Sequence, residues 1–284
     1  MVTEIPELKP RDFAMIRDLA YQKFGLDLRQ GKERLVSSRL SKHIRAGGFS
    51  SFDEYFRHVS GDSTGEALIA MIDSLTTNHT SFLREQQHFQ FLTETVLPAY
   101  LDRPKMDIWC AASSTGEEPY SILLSLCNEL GARRAPDVRI QASDISTRVL
   151  AVARKGVYSA ERVAALPPDW LRRFFLRGEG RSQGLYRVKP DLAAKVEFRR
   201  VNLMDPFPGS VAYQVIFCRN VMIYFDQKTQ EDVVNRLAAC LEPGGYLFVG
   251  HAESLTGIRH ELQYVKPAVY QKPVSGAPIR RRPI

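Results

Sequence analysis

Apolar residues in the first third of the chain recur at the spacing of a helix. Between Phe13 and Phe24 they fall three or four positions apart, and this pattern ends at Gly25. A second run begins at Leu35 and ends at Gly47–Gly48. One face of a helix repeats every 3.6 residues or so, about the spacing seen here, and glycine commonly follows the last helical residue. The pattern therefore predicts two amphipathic helices that end at these glycines.

Two further helices are predicted from residues that favour a helix N-terminus. Ser51 opens the segment SFDEYFRHVS, and Glu54 stands three positions later, which is the spacing of a capping box. Thr64 precedes the apolar run EALIAMIDSL. These segments predict an all-α domain over residues 1–75, followed by an interdomain segment over residues 76–104.

From about residue 105 onward, short apolar runs alternate with amphipathic segments. Such alternation predicts a mostly parallel sheet with helices on both faces, hence an α/β domain over residues 105–272. The predicted helices are EPYSILLSLCNELG, a segment from Ser146 to about Lys155, and DQKTQEDVVNRLAACL. The predicted strands are MDIWCAA, VRIQASDI, VEFRRVNL, YQVIFCRN, the strand that follows the turn in EPGGYLFVG, and VKPAVYQK.

Two segments depart from this alternation. Residues 178–197, GEGRSQGLYRVKPDLAAKVE, predict a small inserted β subdomain. Residues 273–284, PVSGAPIRRRPI, predict a disordered basic tail, because they offer almost no apolar surface to bury.

Composition narrows the class of protein. The 39 Lys and Arg outnumber the 32 Asp and Glu, which gives a net charge of +7 and predicts an acidic partner. No apolar run approaches the roughly 18–20 residues of a membrane span, and the first residues lack a signal-peptide pattern. The cysteines are dispersed in apolar contexts without a CxxC pair, which indicates buried thiols in a reducing cytoplasm. They are Cys110, Cys127, Cys218 and Cys240.

Candidate chemistry lies where the first two predicted strands end. The first strand leads through the small residues of Ala111–Gly116 into a helix that begins with Glu117 and Glu118. Taken alone, the two acids could simply complement the helix dipole. The second strand, however, ends in Asp144, which is placed to accept hydrogen bonds from ribose hydroxyls. Because carboxylates repel phosphates and suit cations, these residues together favour S-adenosylmethionine, which carries a ribose, an ammonium group and a sulfonium.

Three long motifs in the right order give the chain a specific resemblance. They are Leu75–Glu85 (LTTNHTSFLRE), Ser114–Ser121 (STGEEPYS) and Phe217–Phe225 (FCRNVMIYF), and a Pro-Gly-Gly turn follows at Glu242–Gly245. Over residues 10–272 the chain resembles the CheR family of chemotaxis-receptor methyltransferases. The resemblance implies a Rossmann-like class I S-adenosylmethionine-dependent methyltransferase domain, an N-terminal all-α domain and a small inserted antiparallel β subdomain. It departs at His79, where many family members have an apolar residue, and we assign His79 no role.

The resemblance also implies roles for individual residues, and no metal. The expected cofactor contacts are Asn78, Thr80, Arg84, Glu118, Asp144, Asn202, Leu203, Arg219 and Asn220. Family members methylate receptor glutamates, whose carboxylates are ionised at neutral pH since their reference pKa is about 4.3. Such a carboxylate can attack the sulfonium methyl group without a general base, so Arg84 and Tyr224 are expected to orient and stabilise the reactants.

The expected partner follows from a basic helix. Arg34, Ser38, Lys42 and Arg45 lie near one helix face, and such a run could be only a solvated surface. The resemblance instead favours docking on the acidic methylation helices of chemoreceptors. The expected docking residues are Arg34, Arg39, Lys42 and Arg45. Some family members also bind a receptor C-terminal peptide at the β subdomain, and the chain is expected to act as a cytoplasmic monomer.

Three other functions compete with this hypothesis. A nucleic-acid methyltransferase is disfavoured, because methylation of the amino groups of bases usually goes with a D/N-P-P-Y/F motif, whereas this chain has CRNVMIY after the corresponding strand. A carboxyl methyltransferase of small molecules would leave the basic helix without a role. A non-catalytic module that senses S-adenosylmethionine or docks on a receptor would have the same cofactor residues and differ only in turnover.

Overall fold

The computed structural model describes residues 6–131, 136–207 and 212–274. The chain folds into two compact units. The first comprises Met1–Asn78 together with Tyr224–Thr229, and the second comprises His79–Ile223 and Gln230–Ile284. Of the tail predicted to be disordered, only residues 273 and 274 fall within the described ranges.

The first unit is helical, as predicted. Its helices are α1 (Pro10–Phe24), α2 (Glu33–Gly47), α3 (Phe52–Gly61) and α4 (Glu66–Leu75). The predicted ends of α1 and α2 are confirmed. Gly25 and Gly48 adopt left-handed φ values of 66° and 69°, which glycine reaches without steric cost, and their N–H groups bind carbonyls of the last turn.

Side chains cap the N-terminus of α3 as the sequence predicts, with one difference. The Ser51 hydroxyl accepts a hydrogen bond from the N–H of Glu54 at 3.1 Å, so the predicted N-cap is confirmed. The Glu54 carboxylate, however, accepts from the N–H of Ser50 at 2.7 Å, one residue before the position that a standard capping box uses.

The interior of the first unit is an apolar cluster contributed by α1 to α4 and the loops between them. Ile16, Val36 and Leu40 are completely buried in it, and Tyr224 packs against it. Leu26 and Phe225 form an isolated antiparallel bridge. The segment Tyr224–Thr229 is therefore attached to this unit by backbone pairing as well as by packing.

The second unit contains a seven-stranded sheet and a three-stranded sheet. Its strands are β1 (Lys105–Cys110), β2 (Asp137–Asp144), β3 (Val157–Ser159), β4 (Phe175–Arg177), β5 (Leu185–Val188), β6 (Val196–Arg200), β7 (Tyr213–Phe217), β8 (Leu241–Phe248), β9 (Gln263–Lys266) and β10 (Val269–Gln271). The larger sheet has the order β6-β2-β1-β7-β8-β10-β9. Neighbours from β6 to β8 are parallel, whereas β10 is antiparallel to both β8 and β9.

Helices lie before, between and after the strands. They are α5 (Gln87–Phe91), α6 (Glu117–Leu130), α7 (Thr147–Lys155), α8 (Pro168–Phe174), α9 (Pro190–Ala193) and α10 (Gln227–Cys240), the last of which begins in the first unit. Of these, α6, α7 and α10 follow the parallel strands β1, β2 and β7. A π-helical turn at Leu92–Val96 and a 3-10 turn at Leu97–Tyr100 continue α5. Apolar side chains of α6 and of the central strands form the core, where Ile108, Leu123 and Phe217 are completely buried.

Three details of the sheets differ from the sequence prediction. Strand β8 already includes Glu242–Gly245, which the sequence predicts as a turn ahead of the strand. The small antiparallel sheet has the order β3-β5-β4, so it begins at Val157, and Val196 already belongs to β6 of the larger sheet, whereas the prediction placed the insertion at residues 178–197. The predicted single strand VKPAVYQK is the hairpin of β9 and β10. Its turn falls at Pro267, which has no N–H to pair, and at Ala268, whose φ is 62°.

Candidate active site

The candidate site lies at the carboxyl ends of adjacent parallel strands. Cys110 at the end of β1 pairs with Ala142 near the end of β2 and with Phe217 at the end of β7. The loops that leave these three strands therefore emerge at one edge of the sheet. Ligands of open α/β sheets bind at this edge, where neighbouring chain segments turn away from each other.

The loop after β1 has a backbone that only small residues can follow. Ser114 and Gly116 have φ values of 47° and 96°. A Cβ on Gly116 would lie 2.7 Å from the hydroxyl of Tyr158 and 2.9 Å from the Cβ of Ala153, so a larger residue would force these neighbours apart. This close packing holds the N-terminus of α6 against Ala153 of α7 and Tyr158 of β3.

Asp144 ends β2, as predicted, and its carboxylate is oriented by backbone groups. One oxygen accepts a hydrogen bond from the N–H of Ser114 at 2.9 Å, and the other accepts from the N–H of Ser146 at 2.9 Å. The carboxylate thus connects the loops after β1 and β2. Its fixed, half-buried position fits an acceptor for ribose hydroxyls.

The two glutamates at the start of α6 have different environments. The Glu117 side chain is almost completely buried, accepts a hydrogen bond from the hydroxyl of Thr115 at 2.7 Å and pairs with Arg162. Burial raises the pKa of Glu117, although Thr115 and Arg162 partly counteract it. Glu117 therefore has a structural role in the loop.

Glu118 shares a buried arginine with a second carboxylate. Arg219, which follows β7, donates to Glu118 at 2.5 Å, to Glu85 at 2.9 Å and to the backbone oxygen of Arg84 at 2.6 Å. Its side chain has no exposed surface. Burial alone would lower the pKa of Arg219, but the charges of Glu118 and Glu85 raise it. Sequence reasoning gave no role to Glu85, although Glu85 closes the first motif.

Glu85 is held in a fixed position by its backbone and its neighbours. Its φ is 58°, which is uncommon for a residue with a side chain. Its carboxylate accepts hydrogen bonds from the N–H of His251 at 3.1 Å and from the amide of Asn220 at 3.4 Å. Burial alone would raise the pKa of Glu85, but Arg219 lowers it overall, so the carboxylate is ionised at neutral pH.

An imidazole lies beside this carboxylate. His88 is 1% exposed, and its Nδ1 lies 3.5 Å from Glu85. Burial and, secondarily, the charge of Arg219 lower the pKa of His88 to about 3, so the ring is neutral. Within the described ranges, Glu85, His88 and His251 bring potential metal ligands within 4.8 Å of one another. A cation there would face the guanidinium of Arg219 at Glu85, and we assign no metal to this group.

Asn220 is positioned by a carboxylate that sequence reasoning did not find. Glu253, which is 7% exposed, accepts hydrogen bonds from the N–H groups of Gly250 at 2.6 Å, Asn220 at 2.8 Å and Ile223 at 3.2 Å. Burial raises the pKa of Glu253 despite these bonds. The contacts fix the loop after β7, in which Asn220 has a φ of 58°. No local pattern distinguishes such a glutamate from a surface one.

Four other expected cofactor residues lie in two segments of the second unit. After β6, the Asn202 side chain accepts from the N–H of Met204 at 3.1 Å, and Leu203 is buried. Ahead of α5, Thr80 is half-buried, and the guanidinium of Arg84 donates to the backbone oxygen of His79 at 3.1 Å. His79 is exposed.

The remaining two expected site residues, Asn78 and Tyr224, belong to the first unit. Asn78 is half-buried. The hydroxyl of Tyr224 accepts from the N–H of Thr77 at 3.1 Å and lies 3.3 Å from the carbonyl of Thr77, to which it can donate. Tyr224 therefore fixes the backbone immediately before Asn78.

The four cations expected on the docking surface divide into two groups. Arg34, Lys42 and Arg45 are exposed on α2. Arg39 is half-buried and donates to the carbonyl of Leu75, and to the hydroxyl of Thr77 at 3.0 Å. It therefore connects α2 to the end of α4.

Fold and site together define a class of protein. The second unit has the strand order of a Rossmann-like class I methyltransferase domain that uses S-adenosylmethionine, with parallel strands and an antiparallel hairpin at one end. It also has the small-residue loop of that class, followed by an acidic residue at the end of β2. No helix in the described part of the chain has the length and apolarity to cross a membrane.

Comparison with known proteins identifies the family. The model of the CheR methyltransferase SAM-binding domain matches residues 78–270, and that of the CheR all-alpha domain matches residues 11–76. The chain belongs to the CheR methyltransferase family. It is 42% identical to chemotaxis protein methyltransferase 2 of Pseudomonas aeruginosa, with 91% of this chain and 92% of that protein covered. It is 39% identical to the chemotaxis protein methyltransferase of Escherichia coli, with 95% and 93% covered.

Proposed function

We propose that the protein transfers the methyl group of S-adenosylmethionine to glutamate side chains of chemoreceptors, as part of sensory adaptation. The products are a glutamyl methyl ester and S-adenosylhomocysteine. The observation that carries the proposal is the buried Glu118 with its arginine partner, at the ligand-binding edge of a methyltransferase sheet. The support for the substrate is family membership and relatives that are chemotaxis methyltransferases.

The residues present fit the cofactor. Glu118 supplies a carboxylate for the ammonium group, and Asp144 has the fixed geometry of a ribose acceptor. We propose that the ligand approaches the backbone of the small-residue loop after β1. We assign the segments Asn202–Leu203 and Arg219–Asn220 to the adenine and methionine parts, and Asn78, Thr80 and Arg84 to further contacts. We propose a reaction without a metal ion.

The reaction requires the protein mainly to orient the reactants. The cofactor supplies a methyl group on a sulfonium, which leaves as a neutral thioether. The receptor glutamate is already ionised at neutral pH, so no residue has to remove a proton. We assign Arg84 and Tyr224 to orienting the carboxylate and replacing its water, where positioning can account for most of the rate.

Docking is assigned to three exposed cations on α2. Arg34, Lys42 and Arg45 present positive charge to solvent, which suits the acidic methylation helices of chemoreceptors and speeds association. We assign Arg39 to positioning instead, because its guanidinium is already bound to Leu75 and Thr77. We propose that the enzyme acts in the cytoplasm as a monomer, and that a receptor C-terminal peptide pairs with an edge strand of the small sheet, β3 or β4.

The test is transfer of labelled methyl from S-adenosylmethionine into receptor-containing membranes. Base treatment should release the label as volatile methanol, because carboxyl methyl esters hydrolyse readily whereas N-methyl groups do not. S-adenosylhomocysteine binding without transfer to any receptor would instead favour a non-catalytic sensor. Arg84→Ala should reduce transfer strongly while the protein stays folded; wild-type turnover would contradict the role of Arg84.

The docking surface needs a separate test. Neutralising Arg34, Lys42 and Arg45 together should weaken receptor methylation more than cofactor binding, and high salt should reduce the difference between this variant and the wild type. A control variant should remove three exposed cations from other positions, and this control should methylate receptors normally. It replaces Arg57, Lys155 and Arg200.

A further inference from the structure

One buried guanidinium is shared between two carboxylates in the candidate site. Arg219 lies 2.5 Å from Glu118 and 2.9 Å from Glu85, and both bonds are made by terminal nitrogens of the same group. With both carboxylates ionised, the three side chains carry a net charge of minus one. A simple pair of Arg219 and Glu118 would be neutral.

The polar groups in contact with this cluster do not cancel that charge. His88 is neutral because burial lowers its pKa to about 3. The Cys110 thiol, which donates to Glu118 at 3.3 Å, is neutral because burial raises its pKa. The exposed His251 ring lies farther away, at 3.9 Å from Glu85.

Glu85 is held so that it cannot easily leave Arg219. Its backbone adopts a left-handed φ, and its carboxylate accepts from the N–H of His251 and the amide of Asn220. The Glu118 carboxylate is bound by the Cys110 thiol and by Arg219 itself, which restrain it less. Of the two carboxylates, Glu118 is therefore the one that can turn toward a ligand.

We propose that Glu85 is a positioning residue that neutralises Arg219, so that Glu118 keeps a full negative charge for the ammonium group of the cofactor. This inference rests on the proposed function, in which Glu118 binds that ammonium. Without Glu85, the arginine would compete with the ammonium for the same carboxylate. In a buried site this competition is strong, because little water screens the charges.

The test compares two ligands that differ only in the ammonium. S-adenosylhomocysteine carries it, and desamino-S-adenosylhomocysteine does not. Glu85→Gln keeps the size and the acceptor oxygen of the side chain but removes its charge. We expect Glu85→Gln to weaken binding of S-adenosylhomocysteine roughly tenfold, equivalent to about 1.4 kcal/mol, and to leave binding of the desamino ligand unchanged.

Two further variants complete the design. Glu85→Asp retains the charge and should recover part of the lost affinity for S-adenosylhomocysteine. Glu94→Gln removes an exposed carboxylate of the same unit and should change neither affinity, which controls for net charge. Calorimetry on the full-length protein measures both ligands, and thermal melts show whether each variant is folded.

The outcomes separate the inference from the proposed function. Equal weakening of both ligands by Glu85→Gln would mean that Glu85 only maintains the structure, and no weakening would mean that its charge is irrelevant; either result overturns the inference. If Glu85→Gln does not fold, Glu85→Asp takes its place in the test. It must then bind S-adenosylhomocysteine more tightly than the desamino ligand, and equal binding of the two ligands would overturn the inference. If the wild-type protein binds neither ligand, the proposed function itself fails.

Discussion

The buried imidazole of His88 should make the second unit less stable as the pH falls. His88 is 1% exposed, and its pKa falls from 6.5 to about 3 on folding. Below pH 6.5 the unfolded chain therefore binds a proton that the folded chain excludes. A group with a depressed basic pKa lowers the free energy of unfolding as the pH falls between its two pKa values, and has little effect above pH 7 or so.

The size of the effect follows from the two pKa values of His88. At about 1.36 kcal/mol per pH unit, the interval from 6.5 to about 3 corresponds to a limit of about 4.8 kcal/mol in strong acid. Unfolding experiments are more readily made over a narrower range of pH. Between about pH 7 and about pH 5 the same linkage relation gives a loss of about 1.9 kcal/mol.

The assay is urea unfolding of the wild type and of His88→Phe at both pH values. Phenylalanine has a ring of similar size and retains packing against Phe248, whose ring centroid lies 5.5 Å from that of His88. Both tryptophans, Trp109 and Trp170, belong to the second unit, so their fluorescence reports its unfolding.

The difference between the stability losses of the two proteins isolates the contribution of His88. Acidic groups such as Glu85, with its lowered pKa, and Glu117 and Glu253, with raised pKa values, are common to both and largely cancel. The wild type should lose about 2 kcal/mol more than His88→Phe on going from about pH 7 to about pH 5. Equal losses would show that folding does not lower the pKa of the His88 ring, which would refute the reasoning.

Three stability predictions follow from other contacts. Gly116→Ala places a Cβ 2.7 Å from a tyrosine hydroxyl, at a residue whose φ is 96°. It should therefore destabilise the second unit by about 1 to 3 kcal/mol and weaken S-adenosylhomocysteine binding. The control Gly61→Ala, whose Cβ would have no atom within 4 Å, should do neither. Ser51→Ala removes a helix N-cap and should lower the unfolding free energy of the first unit by about 1 kcal/mol in denaturant titrations followed by circular dichroism, whereas exposed Ser38→Ala should not. Arg39→Ala removes two hydrogen bonds at the end of α4 and should destabilise the same unit by about 1 to 2 kcal/mol in the same titrations. An unchanged unfolding free energy in Gly116→Ala, Ser51→Ala or Arg39→Ala would contradict the role given to the contact concerned.

Local patterns predicted most of the elements and several of their ends. The helix ends at Gly25 and Gly48, the N-cap at Ser51 and the strand ending in Asp144 were all predicted correctly, because each depends on residues within one turn or one strand. The position of Arg39 was also implicit in the sequence. A helical residue five positions after Arg34 does not share the helix face of Arg34. The spacing alone therefore distinguishes Arg39 from the exposed cations.

The sequence motif singled out Glu118 but did not show what surrounds it. The sequence favoured Glu118 over Glu117 only through family resemblance. The structure gives the physical reason, since Glu117 is committed to Thr115 and Arg162, whereas Glu118 meets an arginine that lies 101 positions away in the chain.

The sequence by itself therefore determined the class of fold, the family and the segments proposed to carry the chemistry, because periodicity, caps and contiguous motifs are local properties. Only the tertiary structure decided that Glu85 and Glu118 share Arg219. It also decided that Glu253 accepts a hydrogen bond from the loop at Asn220, and that Tyr224 belongs to the helical unit. These contacts depend on which strands lie side by side and on which charges lose their water. Strand order and burial arise from packing of the whole chain, so no short stretch of sequence encodes them.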